Sequence, residues 1–186
     1  MDFDNPEQLS LRGSLILADP SLTDPGFARS VLLLTEHSHS DGAMGFILNK
    51  PIGRSVGDLV NDEEFPKDLA KLPAFLGGPV SPEQLTFASL AWNAPEQALD
   101  FCSHLSSEDA VHRLNEGFAV RAFVGYSGWS GGQLESELKQ RAWITSRPEQ
   151  LVVDANKCDS MWNTLLTQMG PWYRLLASTP DDPSLN

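Results

Sequence analysis

The sequence lacks a disulfide framework, a cysteine metal motif and a membrane span. Its two cysteines, Cys102 and Cys158, are far apart, and both stand near apolar residues, which favours buried, reduced thiols. The longest apolar run, residues 31–34, is far shorter than the roughly 20 residues that cross a bilayer. The acidic residues 1–10 lack the basic-then-apolar order of a signal peptide. These features predict a cytoplasmic protein without membrane contact.

Basic residues are also scarce. The 186 residues include 13 Lys plus Arg against 25 Asp plus Glu, which gives a formal net charge of −12. An acidic surface repels nucleic acid unless a local basic patch overrides it. The densest basic stretch, residues 139–147, dilutes its three charges with apolar residues and lies close to Glu137. We therefore expect no direct binding to nucleic acid.

The stretch GYSGWSGGQLESEL, residues 125–138, resembles two catalytic motifs and matches neither. It has no Lys after its glycines, as a phosphate-binding P-loop requires. Trp129 occupies the place of the second glycine in the GxSxG nucleophile elbow, with Ser127 in the middle. The sequence therefore predicts neither a nucleotide-hydrolysing loop nor a serine nucleophile.

The same stretch has the features of a helix start. Ser130 and Gln133 have the spacing of a capping box, and Trp129 and Leu134 that of a hydrophobic staple. The pairs Glu135–Lys139 and Glu137–Arg141 have the favourable i,i+4 order of a helical surface. Gly131 and Gly132 are unfavourable in a helix, so they indicate close approach of another backbone or of a ligand at the positive end of the helix.

Apolar runs and turn residues predict the remaining elements. Strands are predicted at 14–18, 31–37, 43–49, 86–92, 98–104, 118–126 and 151–155, with a short strand before Gly77-Gly78-Pro79, and helices at 55–60, 106–117 and 158–170. Residues 31–37 are apolar without alternation, which indicates a strand buried on both faces. Because strands come in adjacent pairs, we expect a mixed, α+β-like single-domain α/β sandwich with a largely antiparallel sheet flanked by helices. The domain is predicted to span residues 11–176, between a flexible N-terminal arm, 1–10, and a flexible C-terminal tail, 177–186.

Polar residues at the ends of strands supply the other candidate positions. His37, His39 and Asp41 alternate, so an extended strand could present all three to one metal ion, but a polar hairpin loop explains them better. Glu36 and His37 are an acid and a base, although neighbours on a strand face opposite sides. We therefore predict no catalytic residue, no metal site and no cofactor.

The ordered motifs GSLILADPSLTDPGFARSVLLLTEH, GAMGFILNKP, FLGGPV and GYSGWSGGQLESEL, followed by Trp143, resemble the AlgH/YqgE family of bacterial proteins. The resemblance covers residues 11–145. It implies a compact mixed α/β fold and a label often attached to the family, transcriptional regulator. It implies no established catalytic residue, metal or cofactor.

Two functional hypotheses follow. The first is a cytoplasmic binding or regulatory protein, monomeric or weakly self-associating, that affects transcription indirectly by contacting an unknown protein partner. The alternative is a small-ligand-binding protein or enzyme that uses Glu36 or His37 near the N-terminus of the Gln133 helix. The predicted binding surface consists of Arg29, Glu36, His37, Asn49, Gly77, Gly78, Tyr126, Trp129, Gly131, Gly132, Gln133 and Glu137.

Overall fold

A computed structural model describes residues 10–178 of the chain. Its strands are β1 (Leu15–Ala18), β2 (Val31–Ser38), β3 (Gly42–Ile47), β4 (Pro51–Ser55), β5 (Pro73–Leu76), β6 (Val80–Asn93), β7 (Ala98–Leu105), β8 (Ala119–Trp129) and β9 (Trp143–Ser146). Its helices are α1 (Lys67–Ala70), α2 (Ser107–Asn115), α3 (Gln133–Lys139), α4 (Cys158–Gln168) and α5 (Pro171–Ala177). The expectation of a mixed α/β domain is confirmed.

The nine strands form one sheet with the order β4-β5-β8-β3-β2-β1-β9, and β6 pairs with both β8 and β7. The pairing of β5 with β8 is parallel, and the other pairings are antiparallel. The prediction of a largely antiparallel sheet is therefore confirmed. The long strand β8 joins its two parts, because residues 127–129 pair with β3 while residues 119–124 pair with β6.

The central strands β1 and β2 are covered on both faces. Leu15 and Leu17 pack in one apolar cluster with Trp162 of α4, whereas Ile16 packs in a second cluster with Leu134 of α3. Successive side chains of a strand point to opposite faces, so one short apolar run supplies both clusters. Residues 31–35 are likewise buried without alternation, as the sequence indicates.

The C-terminal third differs from the sequence-based expectation at residues 151–155, which do not form a strand. They lie in two 3-10 turns, Gln150–Val153 and Ala155–Lys157. The Asp154 carboxylate accepts the backbone N–H of Asn156 at 2.9 Å and thereby caps the second turn. Val152 is buried in the core, so the apolar residues of this segment are covered without joining the sheet.

Two strands, β4 and β9, and two helices, α1 and α5, were not predicted. β4 begins at Pro51, just beyond the strand predicted at 43–49, and pairs with β5. β9 follows α3 closely and pairs with β1. α5 begins at Pro171, a position where proline is compatible with a helix start.

The described residues include one residue of the predicted N-terminal arm and two of the predicted C-terminal tail. Ala177 belongs to α5 and is buried, one residue beyond the expected boundary, while residues 179–186 lie outside the described residues. Of the predicted N-terminal arm, Ser10 is described, and its hydroxyl donates to the His37 carbonyl oxygen at 3.1 Å.

Both cysteines are free, but their environments differ. Cys158 is buried, whereas Cys102 is exposed on β7, so the expectation of two buried thiols is wrong for Cys102. Its strand pairs with β6 alone, and alternate residues of β7 face solvent. Within residues 10–178, none of the helices has the length and apolar character needed to cross a bilayer.

Candidate functional site

The carboxylate of Glu137 fixes α3 to the sheet. Its Oε2 accepts hydrogen bonds from the indole Nε1 atoms of Trp129, at 2.9 Å, and Trp143, at 2.7 Å. Its Oε1 accepts from Gln133 Nε2 at 2.9 Å. The two indoles meet edge to face, with ring centroids 6.0 Å apart. Both oxygens of this carboxylate are thus engaged in holding α3, β8 and β9 together.

The start of α3 differs from the predicted capping box. Gln133 Oε1 accepts the backbone N–H of Ser130 at 3.1 Å, so the Gln133 side chain does reach back. The N-cap, however, is Gly132 rather than Ser130, and its φ of 75° is a left-handed conformation that glycine adopts readily. Trp129 and Leu134 pack in the same apolar cluster, as the staple spacing predicted.

The two predicted ion pairs on α3 are absent from the described residues. Glu135 faces His37 and His39 instead of Lys139, and Glu137 accepts indole donors instead of pairing with Arg141. Both carboxylates have partners on the sheet side of the helix. The i,i+4 pattern was therefore misleading because it assumed a solvent-exposed helix face.

The backbone of the β2–β3 hairpin comes into contact with the segment before α3. A Cβ added at Gly131 would lie 2.1 Å from the Ser40 carbonyl oxygen, and one added at Gly42 would lie 2.0 Å from the Trp129 carbonyl oxygen. Real Cβ atoms do not approach that closely. Of the two explanations for Gly131 offered by the sequence, close approach of another backbone is the one that the structure supports.

His37 has both ring nitrogens engaged. Its Nδ1 accepts the backbone N–H of Leu11 at 3.0 Å, so the proton of the neutral ring belongs on Nε2, which donates to Glu135 Oε1 at 3.0 Å. The side chain is only 6% exposed. A general base needs an available nitrogen lone pair, and His37 uses its own to hold Leu11.

His39 lies beside the same carboxylate. Its Nδ1 is 3.2 Å from Glu135 Oε1, and its side chain is 57% exposed. Burial alone raises the pKa of Glu135. Hydrogen bonds from its own backbone, from His39 and from His37, together with the charge of His37, lower that pKa. These lowering effects are larger, so the pKa of Glu135 lies below its usual value. The carboxylate is therefore stabilised in its ionised form.

These side chains do not assemble a metal centre. The Asp41 carboxylate accepts a hydrogen bond from the Ser38 hydroxyl at 2.9 Å, within the hairpin turn. Across residues 10–178, no group of three or more His, Cys, Asp or Glu side chains is arranged to hold a metal ion. Glu36 is exposed at a register shift between β2 and β3.

Gly77 and Gly78 allow the end of β5 to lie against β8. A Cβ at Gly77 would lie 2.1 Å from the Gly125 carbonyl oxygen, and one at Gly78 would lie 2.3 Å from the Tyr126 carbonyl carbon. The Ser127 hydroxyl donates to the Gly77 carbonyl oxygen at 3.1 Å. Both glycines are buried, and the Tyr126 side chain packs against the core.

Arg29 and Asn49 lie at the opposite end of the β2–β3 hairpin. Asn49 donates to the Arg29 carbonyl oxygen at 3.0 Å and accepts the Val31 N–H at 2.8 Å, while the Arg29 guanidinium lies 5.2 Å from the Trp162 ring centroid. Most of the length of β2, about 20 Å at the usual strand rise, separates Asn49 from His37. The predicted binding surface is thus divided among separate places in the fold.

Arg121, a buried residue at the centre of β8, was not among the residues predicted to be important. Its Nη1 and Nη2 donate to the carbonyl oxygens of Leu48 and Val152, each at 2.7 Å, and burial lowers its pKa. The thiol of Cys158 donates to the same Leu48 oxygen at 3.5 Å, and burial raises its pKa. A single Arg within an apolar, alternating strand was the available signal.

A cleft of about 650 Å³ lies where the end of α3, β9 and α5 meet. Its aromatic walls are Trp143, Trp172 and Tyr173, and Arg141 and Asp19 are its charged side chains. α5 was not predicted, so sequence reasoning had no means of placing Trp172 opposite Trp143. The cleft thus combines three aromatic side chains with one cation and one carboxylate.

Comparisons with known proteins agree on one family. A family model described as AlgH-like matches residues 15–174. The chain is 35% identical to a UPF0301 protein of Parabacteroides distasonis, covering 96% of this chain and 92% of the relative, and 35% identical to one of Streptomyces coelicolor, covering 97% of each.

Two solved structures have the same fold. The solution structure of the AlgH protein from Pseudomonas aeruginosa is 24% identical, with a TM-score of 0.66 over 97% of this chain and 98% of that one. A crystal structure of a protein from Corynebacterium diphtheriae is 22% identical, with a TM-score of 0.69 over 96% and 95%. At these identities the likeness concerns the fold alone.

Proposed function

The chain belongs to the AlgH-like family, and on that premise we propose that it is a binding and regulatory protein that acts through protein contacts. The side chains that could support catalysis, in the glycine-rich motif and on the neighbouring strand β2, are occupied with intramolecular hydrogen bonds. His37 holds Leu11 and Glu135, and Glu137 holds two indoles and an amide. These bonds favour binding over acid–base catalysis.

Exposed apolar side chains on α5 are the main support for a protein-binding function. Trp172 is 66% exposed and Leu175 is 64% exposed, and a spacing of three places them on one side of the helix. Within residues 10–178, Val80 is the other large apolar residue that is exposed, at 36%. Large aromatic side chains contribute strongly to protein interfaces when a partner covers them. We therefore assign the protein contact to this face of α5.

The charge of the chain favours a basic partner. A net charge of −12 attracts a basic protein and opposes close contact with a second copy of the same acidic chain. Proteins that bind DNA are commonly basic, because they neutralise phosphates. An acidic chain that binds such a protein affects transcription without touching DNA. A cytoplasmic location belongs to the same proposal, and the two free cysteines support it.

Capture from cell extract with matched variants tests this proposal. Leu175→Ser removes the exposed leucine of α5, and Val80→Ser removes an exposed apolar side chain from β6 as a control. We expect a basic protein to be retained by the wild-type and Val80→Ser chains and lost from Leu175→Ser. Titration calorimetry with the two purified proteins then has to reproduce that pattern and weaken as salt rises.

Two outcomes of this capture experiment would contradict the proposal. If every captured protein binds Leu175→Ser as well as it binds the wild type, the α5 face is not the contact. If the partner that depends on Leu175 is acidic, the charge argument fails.

A further inference from the structure

Arg141 occupies an unfavourable backbone position for its residue type. It follows the last residues of α3 with a φ of 60°, in the left-handed region. Its N–H donates to the Leu138 carbonyl oxygen at 3.0 Å, and the Ala142 N–H donates to the Glu137 carbonyl oxygen at 2.9 Å. This is the Schellman pattern of helix termination, in which glycine is the favoured residue at the position of Arg141.

The guanidinium of Arg141 does not compensate for this strain through a contact within the fold. It takes part in none of the side-chain hydrogen bonds or ion pairs found in residues 10–178. Its side chain lines the cleft between α3, β9 and α5. The Arg141 side chain is exposed, so its guanidinium is available at the cleft to pair with an anion.

The aromatic side chains of the cleft indicate which uncharged group would accompany an anion bound by Arg141. Trp143 is buried in the core beneath the cleft, and its indole N–H is already bonded to Glu137, so it offers an apolar surface. Trp172 and Tyr173 of α5 provide two further aromatic rings. Flat apolar walls beside one cation suit a ligand that joins an aromatic body to an anionic group.

Asp19 limits the charge of that ligand. Its Oδ1 accepts hydrogen bonds from the N–H and hydroxyl of Ser21, at 2.9 and 2.6 Å, and its backbone N–H donates to the Ala142 carbonyl oxygen at 2.9 Å. A carboxylate is thus fixed at the cleft close to Arg141. One cation accompanied by one carboxylate favours a singly charged anion over a polyphosphate.

We propose that this cleft binds a small aromatic carboxylate, with Arg141 pairing with the carboxylate and Trp172 and Tyr173 covering the ring. The inference goes beyond the protein partner and does not depend on it. Because Trp172 belongs to both the cleft and the exposed face of α5, the ligand gives the protein contact a regulatory input.

Phenylacetate and its neutral counterpart phenylacetamide are suitable probes. The indole N–H signals of the five tryptophans can be followed by NMR during titration with each compound. We expect saturable, millimolar binding of phenylacetate that shifts the Trp172 and Trp143 signals, and binding of phenylacetamide that is weaker by about tenfold or more. Phenyl phosphate, a dianion near neutral pH, is expected to bind more weakly than phenylacetate.

Arg141→Gly separates binding from folding. Glycine relieves the left-handed strain, so this variant is expected to unfold at a higher temperature than the wild type while its phenylacetate affinity falls about tenfold or more. Arg147→Ala, which removes an exposed cation just beyond β9, is expected to leave that affinity unchanged.

Three results would overturn the proposal. They are equal binding of phenylacetamide, unchanged phenylacetate binding by Arg141→Gly, and no saturable binding of phenylacetate by the wild type. Leu175→Ser distinguishes this failure from failure of the protein contact, because it should lose the partner and keep phenylacetate.

Discussion

Glu137 is a single side chain on which several contacts depend. Its two oxygens receive donors from β8, from β9 and from the first turn of its own helix. A carboxylate can accept several hydrogen bonds, whereas an indole N–H has one proton to donate and no means of accepting. Removing the carboxylate therefore leaves two indole donors without their partner at once.

We predict that Glu137→Ala lowers the free energy of unfolding by about 3 kcal/mol, since hydrogen bonds to a charged acceptor and the stranded donors both contribute. Urea denaturation followed by far-ultraviolet circular dichroism measures this change. Lys139→Ala, an exposed change on the same helix, should stay within about 0.5 kcal/mol of the wild type. Equal stability of the two variants would show that the network contributes little.

Glu135 gives a pH-dependent contribution. Its pKa in the folded protein lies below the usual value of 4.5, so folding favours the ionised carboxylate. The resulting stabilisation is complete above pH 4.5 and is lost as the pH falls through the lowered folded-state pKa. His37 and His39 are the groups that face this carboxylate.

We predict that Glu135→Gln is less stable than the wild type at pH 7 and that the difference narrows steadily below pH 4.5. Urea midpoints measured at intervals from neutral to acidic pH provide the comparison. Glu36→Gln serves as the control for removing one negative charge from an acidic chain. A gap that stays constant or widens in acid would contradict the assigned role.

At the scale of elements, the two glycines at the start of α3 are required for different reasons. Gly131 has no room for a Cβ beside the Ser40 carbonyl oxygen, whereas nothing lies within 4 Å of the Cβ position of Gly132. Gly132 is instead required by its φ of 75°.

We predict that Gly131→Ala costs about 3 kcal/mol, because the hairpin backbone has to move away from α3. Gly132→Ala should cost about 1 kcal/mol, the usual penalty for a left-handed Cβ-bearing residue. Hydrogen exchange should show faster opening of residues 38–42 in Gly131→Ala alone. Equal costs and equal exchange in the two variants would refute the steric explanation.

Sequence patterns predicted the helices and strands that are determined by residues close together in the chain. The apolar run at 31–37 identified a doubly covered strand. The helix predicted at 106–117 contains α2, which Ser106 caps by accepting the Asp109 N–H. β9 and the turns around Asp154 were missed, because the pairing of four residues with β1 and the burial of Val152 depend on distant parts of the chain.

The candidate site was predictable to a similar extent. The sequence marked Trp129, Gln133 and Glu137 as important and placed His37 near the start of α3. It did not reveal that Glu137 binds Trp143, or that Leu11 occupies Nδ1 of His37. Neither pair lies within one helix or strand, so the periodic patterns that predict helices and strands do not reveal these hydrogen bonds.

At the scale of the whole molecule, three apolar clusters stabilise different parts of the fold. One joins α4 to the sheet, a second joins α3 and β9 to its other face, and a third lies under α1 and α2. The glycine-rich motif therefore closes one layer of the domain, and α5 is left at the surface with its apolar face exposed. This arrangement separates the structural motif from the proposed contact face.

The net charge of the whole chain leads to the last prediction, which concerns DNA. A protein binds duplex DNA by neutralising phosphates with Lys and Arg, and its affinity rises as salt is removed. This chain has 13 basic residues against 25 acidic ones. Lower salt lengthens the range of its repulsion from DNA, so removing salt should not produce binding.

We therefore predict no mobility shift of labelled duplex DNA by the purified chain, at physiological salt or at low salt. An acidic chain that acts through a basic partner should shift DNA only when that partner is present, and Leu175→Ser should then have no effect on the DNA complex of the partner. A tight, salt-sensitive shift by the chain alone would reveal a basic surface and would replace the indirect route with a direct one.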